Sequence, residues 1–295
     1  MTVLLAFLAH PDDESFGIGG TLAKYARAGV DVHYLCATRG ESGTVDDHRM
    51  AGFKDVAELR DGELACASKA LGLKSYEYFG YRDSGMQGTK HNDHADSFAQ
   101  ANVEEAAQRL AEVVLRLRPA VIITHDQYGG YGHPDHIACH KATLRMYDML
   151  WGVNITPGPR GEAIPTLGAA TGPISPGDLR APRLYYSTLP KTFIKWGVRF
   201  LRLTGQNPSG FGRNKDIDLV KIASWDLPVT ARVDIRAFAD IKREASACHA
   251  SQQMPQQNQS LFQRFFFRRQ TAESFTQAYP AFPAKGRIST DLLRD

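Results

Sequence analysis

The stretch VLLAFLAHPDDE, residues 3–14, decides how the chain folds. Val3 to Ala9 form an unbroken apolar run. That is the pattern of a strand covered on both faces, as in a parallel sheet between two helical layers. The run stops at His10, and a proline, two aspartates and a glutamate follow. Carboxylates at the end of a buried strand are costly unless something compensates them.

Working outward, short β-rich runs alternate with helical patterns. DVHYLCAT from Asp31, YEYFGY from Tyr76 and AVIITH from Ala120 read as the second, third and fourth strands. Helical patterns cover TLAKYARAGV from Thr21, with Gly29 as its stop, residues 46–71, with Gly72 as a cap, and residues 98–117, closed by Pro119. This alternation predicts an α/β fold: a Rossmann-like, mostly parallel sheet with helices on both faces and a C-terminal extension. Residues 1–150 form its core. Residues 151–183, rich in proline and glycine, read as an irregular insertion. Residues 184–295 complete the sheet and the substrate pocket, with strands at LYYST from Leu184 and ARVDI from Ala231 and helices over 192–203 and 238–250.

Composition narrows the function class. Hydrophobic residues are 43%, charged residues 23%, and the formal charge is +3. A charge that small and evenly spread argues against nucleic acid. No run approaches the ~18 apolar residues of a membrane span, so no stable membrane insertion is expected. The apolar start is too short for a signal peptide, so a cytoplasmic location is the expectation. Cys36, Cys66, Cys139 and Cys248 lie far apart and form no CxxC pair. They read as small core residues in a reducing compartment rather than as a disulfide framework.

A second polar cluster, HDQYGGYGHPDHIACH from His125 to His140, follows the fourth strand, so HPD occurs after two different strands, at His10 and at His133. With strand order 3-2-1-4-5 the first and fourth strands are neighbours. The crevice beyond their C-terminal ends is then the switch point where α/β sheets bind ligands. Taken singly, each motif reads as a turn with a helix cap. Facing each other, they offer His10, Asp12, Asp13, His133, Asp135, His136 and His140 to a divalent metal. A His, His, Asp set suits zinc with a fourth position left to water. The remaining aspartate of the pair would serve as general base. Spacing does not say which aspartate is ligand and which is base.

The paired AHPDDE (9–14) and GHPDH (132–136) resemble the PIG-L/LmbE-like zinc-dependent N-deacetylase family. Weaker matches are TRGESG from Thr38, RDGELACASKALG from Arg60, YRDSGM from Tyr81 and CHASQQ from Cys248. The resemblance implies a metal-dependent hydrolase that removes the N-acetyl group from an N-acetylglucosamine-type sugar conjugate by attack of metal-bound water. An amidase on a related glycoconjugate is the alternative within the family, and a non-catalytic Rossmann-like binding protein the alternative outside it. It implies His10, Asp13 and His136 as metal ligands, Zn2+ as the metal with Fe2+ acceptable to the same ligands, and Asp12 as general base. His133 would stabilise or protonate the tetrahedral intermediate, with Asp135 orienting it. Tyr131 would polarise the amide carbonyl. Arg60, Asp83 and Glu41 are the implied substrate contacts. The partner implied is a small-molecule sugar conjugate, and the resemblance also allows a homo-oligomer. Phe16 departs from the mycothiol-pathway deacetylase, which has a lysine there.

Other features read more plainly. GIGGT from Gly17 lacks dinucleotide-fingerprint spacing and reads as small residues for close packing of a helix start. His140 reads as a helix-surface or supporting histidine, and His48 as solvent-facing. His91, His94 and His125 have no partner at useful spacing. QQMPQQNQS from Gln252 reads as a glutamine-rich loop. FQRFFFRRQ from Phe262 reads as a loop that packs its phenylalanines, exposes its arginines and stands as a candidate active-site wall.

Overall fold

A computed structural model describes residues 1–155, 176–188, 191–210, 217–225, 227–253, 271–283 and 285–294. Most of the proline- and glycine-rich insertion, most of the glutamine-rich loop and the whole of FQRFFFRRQ lie outside the described residues.

The elements run β1 (Val3–Leu8), α1 (Asp13–Phe16), α2 (Gly19–Arg27), β2 (Asp31–Thr38), α3 (Val56–Leu71), β3 (Ser75–Tyr81), α4 (Val103–Leu117), β4 (Val121–Thr124), α5 (Gly129–Gly132) and α6 (Pro134–Trp151). They continue as β5 (Arg183–Ser187), α7 (Lys191–Leu203), α8 (Leu219–Ser224), β6 (Ala231–Asp234), α9 (Ala239–Cys248) and β7 (Ala272–Tyr279). The described strands form one seven-stranded sheet in the order β3-β2-β1-β4-β5-β7-β6. The first five pair in parallel, and β7 pairs antiparallel with both β5 and β6. The expected doubly wound sheet is therefore present, with β1 and β4 side by side. Among the described residues no helix is long and apolar enough to cross a membrane.

The apolar run that opened the sequence explains the layering. Leu4, Ala6 and Leu8 pack with Leu22 of α2, Leu64 of α3 and Ala245 of α9. Leu5, Phe7 and Ala9 pack with Leu110 of α4 and Tyr147 of α6 on the other face. Alternate residues of one strand thus feed two cores, so neither face tolerates a polar position.

Several boundaries differ from the sequence expectation. The helix expected over 46–71 starts only at Val56, because Gly52 takes a left-handed φ of 90° and Asp55 caps the helix by accepting from Glu58 N–H. The helix expected from Phe98 starts at Val103, where the Asn102 side chain caps it. β7, with its interrupted pattern AESFTQAY, was not foreseen. Its Glu273 accepts from Gly20 N–H at 3.0 Å and Thr21 N–H at 2.7 Å, capping α2 from across the sheet, and receives Lys242 Nζ at 2.6 Å. The small residues at this helix start are required by packing: a Cβ on Gly20 would lie 2.7 Å from the Ile235 Cβ.

The cysteine expectation is corrected. Cys66 of α3 and Cys248 of α9 form a disulfide with Cα atoms 5.7 Å apart, while Cys36 and Cys139 are free and buried. Side-by-side packing of α3 and α9 brings together two residues separated by 182 positions, which no local spacing reveals.

Candidate metal centre

The end of β1 is fixed by its neighbours. Tyr34 Oη donates to the His10 carbonyl at 2.6 Å, and Thr38 Oγ1 donates to the Ala9 carbonyl at 3.1 Å. The chain then turns sharply, with Asp12 at φ 139°, ψ −27°, a conformation that is strained for a residue with a Cβ. The turn persists because it is held at several points: His10 N–H donates to Asp13 Oδ2 at 2.9 Å, and Asp12 N–H donates to Glu14 Oε2 at 2.9 Å. The Asp12 side chain makes no capping bond to α1, so the helix-cap reading of the first motif does not account for it.

The second cluster arrives from β4. Asp126 Oδ1 accepts from Tyr128 N–H and Gly130 N–H, folding the loop back over α6. Gly130 has φ 67°, and a Cβ there would lie 3.6 Å from His136 Nδ1. At the start of α6 the cap reading of the motif holds. His133 Nδ1 accepts from Asp135 N–H at 3.2 Å, so the histidine is the helix cap, and its other ring nitrogen is left to donate.

Three side chains from these two turns converge. His136 Nε2 lies 3.3 Å from His10 Nδ1 and 3.5 Å from Asp13 Oδ2, and His10 Nδ1 lies 3.6 Å from Asp13 Oδ2. Tetrahedral zinc with N and O ligands at their usual bond lengths has ligand–ligand edges of about 3.3–3.4 Å. The triangle of donors therefore has the size such a cation requires. Among the described residues, three further groups, His10–His133–His136, His10–Asp83–His133–Asp135 and Asp13–His125–His136, also lie within reach of one ion, all of them buried except the half-buried Asp13. His125 is the weaker donor, because its Nε2 already accepts from Ala9 N–H at 3.1 Å.

The electrostatics favour a cation. His10 Nε2 lies 3.1 Å from Asp135 Oδ2 and 3.6 Å from Asp83 Oδ1. A histidine whose outer nitrogen donates to a carboxylate presents the inner one to a metal. Burial alone would lower the pKa of His10, but Asp83, Asp13 and Asp135 outweigh it and hold it well above the ordinary value. Burial pushes Asp13 up, yet His136, His125 and His10 bring it well below the carboxylate range. Asp12 behaves differently: burial raises it to about 6, against the pull of Arg60 and with the push of Asp13. Burial lowers His133 to about 3, so its ring is neutral near pH 7. Tyr131 is raised by burial and stays a phenol, its ring 5.1 Å from that of His136.

The remaining expected residues fall less simply. Asp135 is bonded to His10 and Ser84 and lies 4.0 Å from His133 Nδ1, so its carboxylate orients His10 first. Arg60, 3% exposed, donates to Asp12 Oδ2 at 2.8 Å, to Gly40 O and to Pro11 O, so the Asp12 carboxylate is its main partner. Asp83 accepts from Gly85 N–H at 2.8 Å and Ser42 N–H at 3.2 Å while facing His10. Glu41 stands apart on the rim, with Oε2 buried and unpartnered. His140 is buried, not on the helix surface, and supports the centre from behind: its Nδ1 donates to His125 O at 3.2 Å, and burial lowers its pKa to about 4.

Three residues of the centre escaped the sequence reading. His125 stacks on His136 with ring centroids 3.7 Å apart and lies 3.4 Å from Asp13 Oδ2. Its place directly after β4 was the available signal. Glu14 and His249 form a fully buried pair at 2.7 Å, in which Glu14 also holds Asp12 N–H. Burial lowers the pKa of His249, and Glu14 more than restores it. The adjoining Ser251 donates to Glu63 of α3 through both N–H and Oγ.

Comparisons with known proteins identify the family of the chain. The profile of the family described as "PIG-L: GlcNAc-PI de-N-acetylase" matches residues 5–147. A 1D-myo-inositol 2-acetamido-2-deoxy-alpha-D-glucopyranoside deacetylase from Acidothermus cellulolyticus is 36% identical over 258 residues, covering 84% of this chain and 79% of the relative. The enzyme of the same name from Thermomonospora curvata is 36% identical and covers 83% of this chain and 78% of the relative. Among solved structures, the N,N'-diacetylchitobiose deacetylase of Pyrococcus horikoshii superposes with a TM-score of 0.59 at 19% identity, over 94% of this chain and 83% of that one. A 4-carboxy-2-hydroxymuconate hydratase from Pseudomonas putida superposes with a TM-score of 0.56 at 20% identity, over 97% and 99%. The fold alone thus serves more than one chemistry. The sequence relatives, matched along most of their length, decide the matter: the chain belongs to the PIG-L family of de-N-acetylases.

Proposed function

We propose that the protein hydrolyses the acetamide of an N-acetylglucosaminyl conjugate, with His10, Asp13 and His136 holding a zinc or ferrous ion. The observation that carries this reading is the triangle of donor atoms, 3.3, 3.5 and 3.6 Å on its edges, at the switch point between β1 and β4. The family membership supplies the substrate class, since the curated relatives are named as deacetylases of an acetamido-sugar joined to inositol.

When bound, the cation supplies Lewis-acid polarisation of water and of the acetamide carbonyl. The protein's own groups do the rest. Asp12, with a pKa near 6, is ionised yet basic enough at neutral pH to take the proton as the water oxygen bonds to the carbonyl carbon. Arg60 and the Glu14 bond to its N–H fix where that carboxylate points. The neutral His133, capped through Nδ1, directs its remaining N–H toward charge developing on the carbonyl oxygen, and the Tyr131 hydroxyl is a second donor. As the C–N bond breaks, the proton on Asp12 passes to the leaving nitrogen. The products are acetate and the free amino sugar.

We assign this chemistry to residues 1–150, with 184–295 completing the sheet and shaping the substrate pocket. The test is a panel of N-acetylglucosamine conjugates with different aglycones, assayed with the metal content determined. Acetate release from at least one member with about one metal ion per chain is expected. Turnover of a glycoconjugate amide without release of acetate from any N-acetyl sugar would move the assignment to the amidase reading.

A further inference from the structure

The Cys66–Cys248 bridge joins two elements that each reach Asp12. Arg60, Glu63 and Cys66 follow one another at three-residue steps along α3, so they share one side of that helix. Arg60 donates to Asp12 Oδ2 at 2.8 Å. Glu63 accepts from Ser251 N–H at 2.7 Å and from Ser251 Oγ at 2.8 Å. Cys248 is the last residue of α9, and the next residue, His249, meets Glu14 Oε1 at 2.7 Å. Glu14 Oε2 in turn accepts from Asp12 N–H at 2.9 Å. The bridge, Glu14 and Glu63 together hold residues 248–251 behind Asp12.

Most of this assembly is closed to solvent: Glu14, His249, Glu63 and Ser251 are all buried. The bridge is not. Cys66 is exposed and Cys248 half-buried. Thiol–disulfide exchange requires access to the sulfur that is attacked, and exposed bridges are the labile ones. The two other cysteines, Cys36 and Cys139, are free and buried. A small thiol therefore meets the bridge first, and it meets it at Cys66.

We propose that Cys66–Cys248 is an exchange site for low-molecular-weight thiols, and that opening it loosens the support of Asp12 and lowers the rate of hydrolysis. The thiolate of the small thiol attacks Cys66 Sγ. The electron pair of the S–S bond leaves on Cys248 Sγ, which takes up a proton, and a mixed disulfide forms at Cys66. A second small thiol attacks the outer sulfur of that mixed disulfide, and Cys66 leaves as a thiolate and is protonated. The protein gains two electrons and two protons, and the two small thiols lose them and depart as their disulfide. The same small-molecule disulfide closes the bridge by the reverse steps. The effect on rate rests on the deacetylase reading; the exchange at the bridge does not.

The experiment equilibrates wild type and the double variant Cys66→Ser and Cys248→Ser with graded ratios of reduced to oxidised glutathione, at a fixed and determined metal content. The bridge is followed by alkylation and intact mass, the reaction by acetate release, and the turn at Asp12 by short-time hydrogen exchange of residues 9–16. Wild type should pass through a glutathione adduct to two alkylated thiols. Its kcat should fall about tenfold as it does so, in the range for losing a supporting group around a metal site, and recover on reoxidation. The double variant should show the lowered rate at every ratio. Residues 9–16 should exchange about tenfold faster once the bridge is open, while α4, which packs on the opposite face of the sheet, keeps its protection. A bridge that glutathione leaves closed in the folded protein, an open bridge with the full rate, or an equal loss of protection in α4 overturns the proposal. Absence of acetate release from both redox forms, with residues 9–16 still loosening as the bridge opens, overturns the deacetylase reading instead and leaves the exchange site standing.

Discussion

Arg60 Nη2 donates to Asp12 Oδ2 at 2.8 Å from a side chain that is itself 3% exposed. The proposed base, Asp12, therefore stands against burial, which raises its pKa to about 6, and is assisted by an arginine that pulls it back down. Removing the guanidinium lets the carboxyl rise further. A base must be deprotonated, so the acidic limb of the kcat/KM profile of Arg60→Met should move to higher pH. A rise of one unit corresponds to about a tenfold loss of activity on that limb. A pH profile with the limb unmoved would make Arg60 a packing residue only.

The Glu14–His249 pair sits behind the same aspartate. Glu14 Oε2 holds Asp12 N–H at 2.9 Å while Oε1 meets His249 Nε2 at 2.7 Å, both partners fully buried. This contact stabilises the φ of 139° at Asp12. His249→Ala should lower kcat by about 10–100-fold, the usual cost of losing a supporting group around a metal site, with KM changed far less. Because the pKa of His249 is raised in the fold, its stabilising charge is complete below its unfolded value near 6.5 and fades as pH rises through the folded one. The stability gap between wild type and His249→Gln should narrow toward alkaline pH. Thermal melts across pH provide the check.

The Cys66–Cys248 bridge ties together the two helices that carry Arg60 and precede His249. Opening it should lower stability by about 2–4 kcal/mol, chiefly through the freedom regained by the unfolded chain. Thiol titration of the denatured, unreduced protein should find the two free cysteines, Cys36 and Cys139. Four titratable thiols before reduction would contradict the bridge.

Glu273 offers a separate test of the C-terminal sheet. It is 1% exposed, caps α2 and pairs with Lys242 at 2.6 Å. Glu273→Ala leaves two backbone N–H groups without partners and a buried ammonium with only the Gly17 carbonyl, at 3.3 Å, to receive it. The expected loss is about 3–5 kcal/mol by denaturant unfolding. A loss below about 1 kcal/mol, the range of exposed pairs, would contradict the burial of this pair.

What was legible in the sequence was what local pattern encodes. The unbroken run from Val3 to Ala9 announced a strand buried on both faces, and neighbouring first and fourth strands set the two HPD clusters facing each other. Which aspartate is ligand and which is base was not legible from spacing. In the turn the two differ in their partners: Asp13 Oδ2 meets His10 N–H and lies 3.5 Å from His136 Nε2, while Asp12 meets Arg60, which supports the proposed ligand and base roles. His125 was passed over because Asp13 and Ala9, which hold its Nε2, lie more than a hundred residues away, and its stacking on His136 follows no ligand spacing. Glu14–His249, Cys66–Cys248 and β7 failed for the same reason. Each is made by pairing between segments remote in the chain, and AESFTQAY carries no clean alternation because Glu273 is buried as an ion pair rather than as an apolar face.

The central claim is that Asp12 is the base and not a ligand, beside a cation held by His10, Asp13 and His136. The most direct measurement is the acetate-release rate of Asp12→Ala with its metal content determined on the same sample. The account predicts about one metal ion per chain, as in wild type, with the rate reduced by about 10²–10⁴-fold, the contribution of a positioned general base. A metal-loaded Asp12→Ala that releases acetate at the wild-type rate would contradict it.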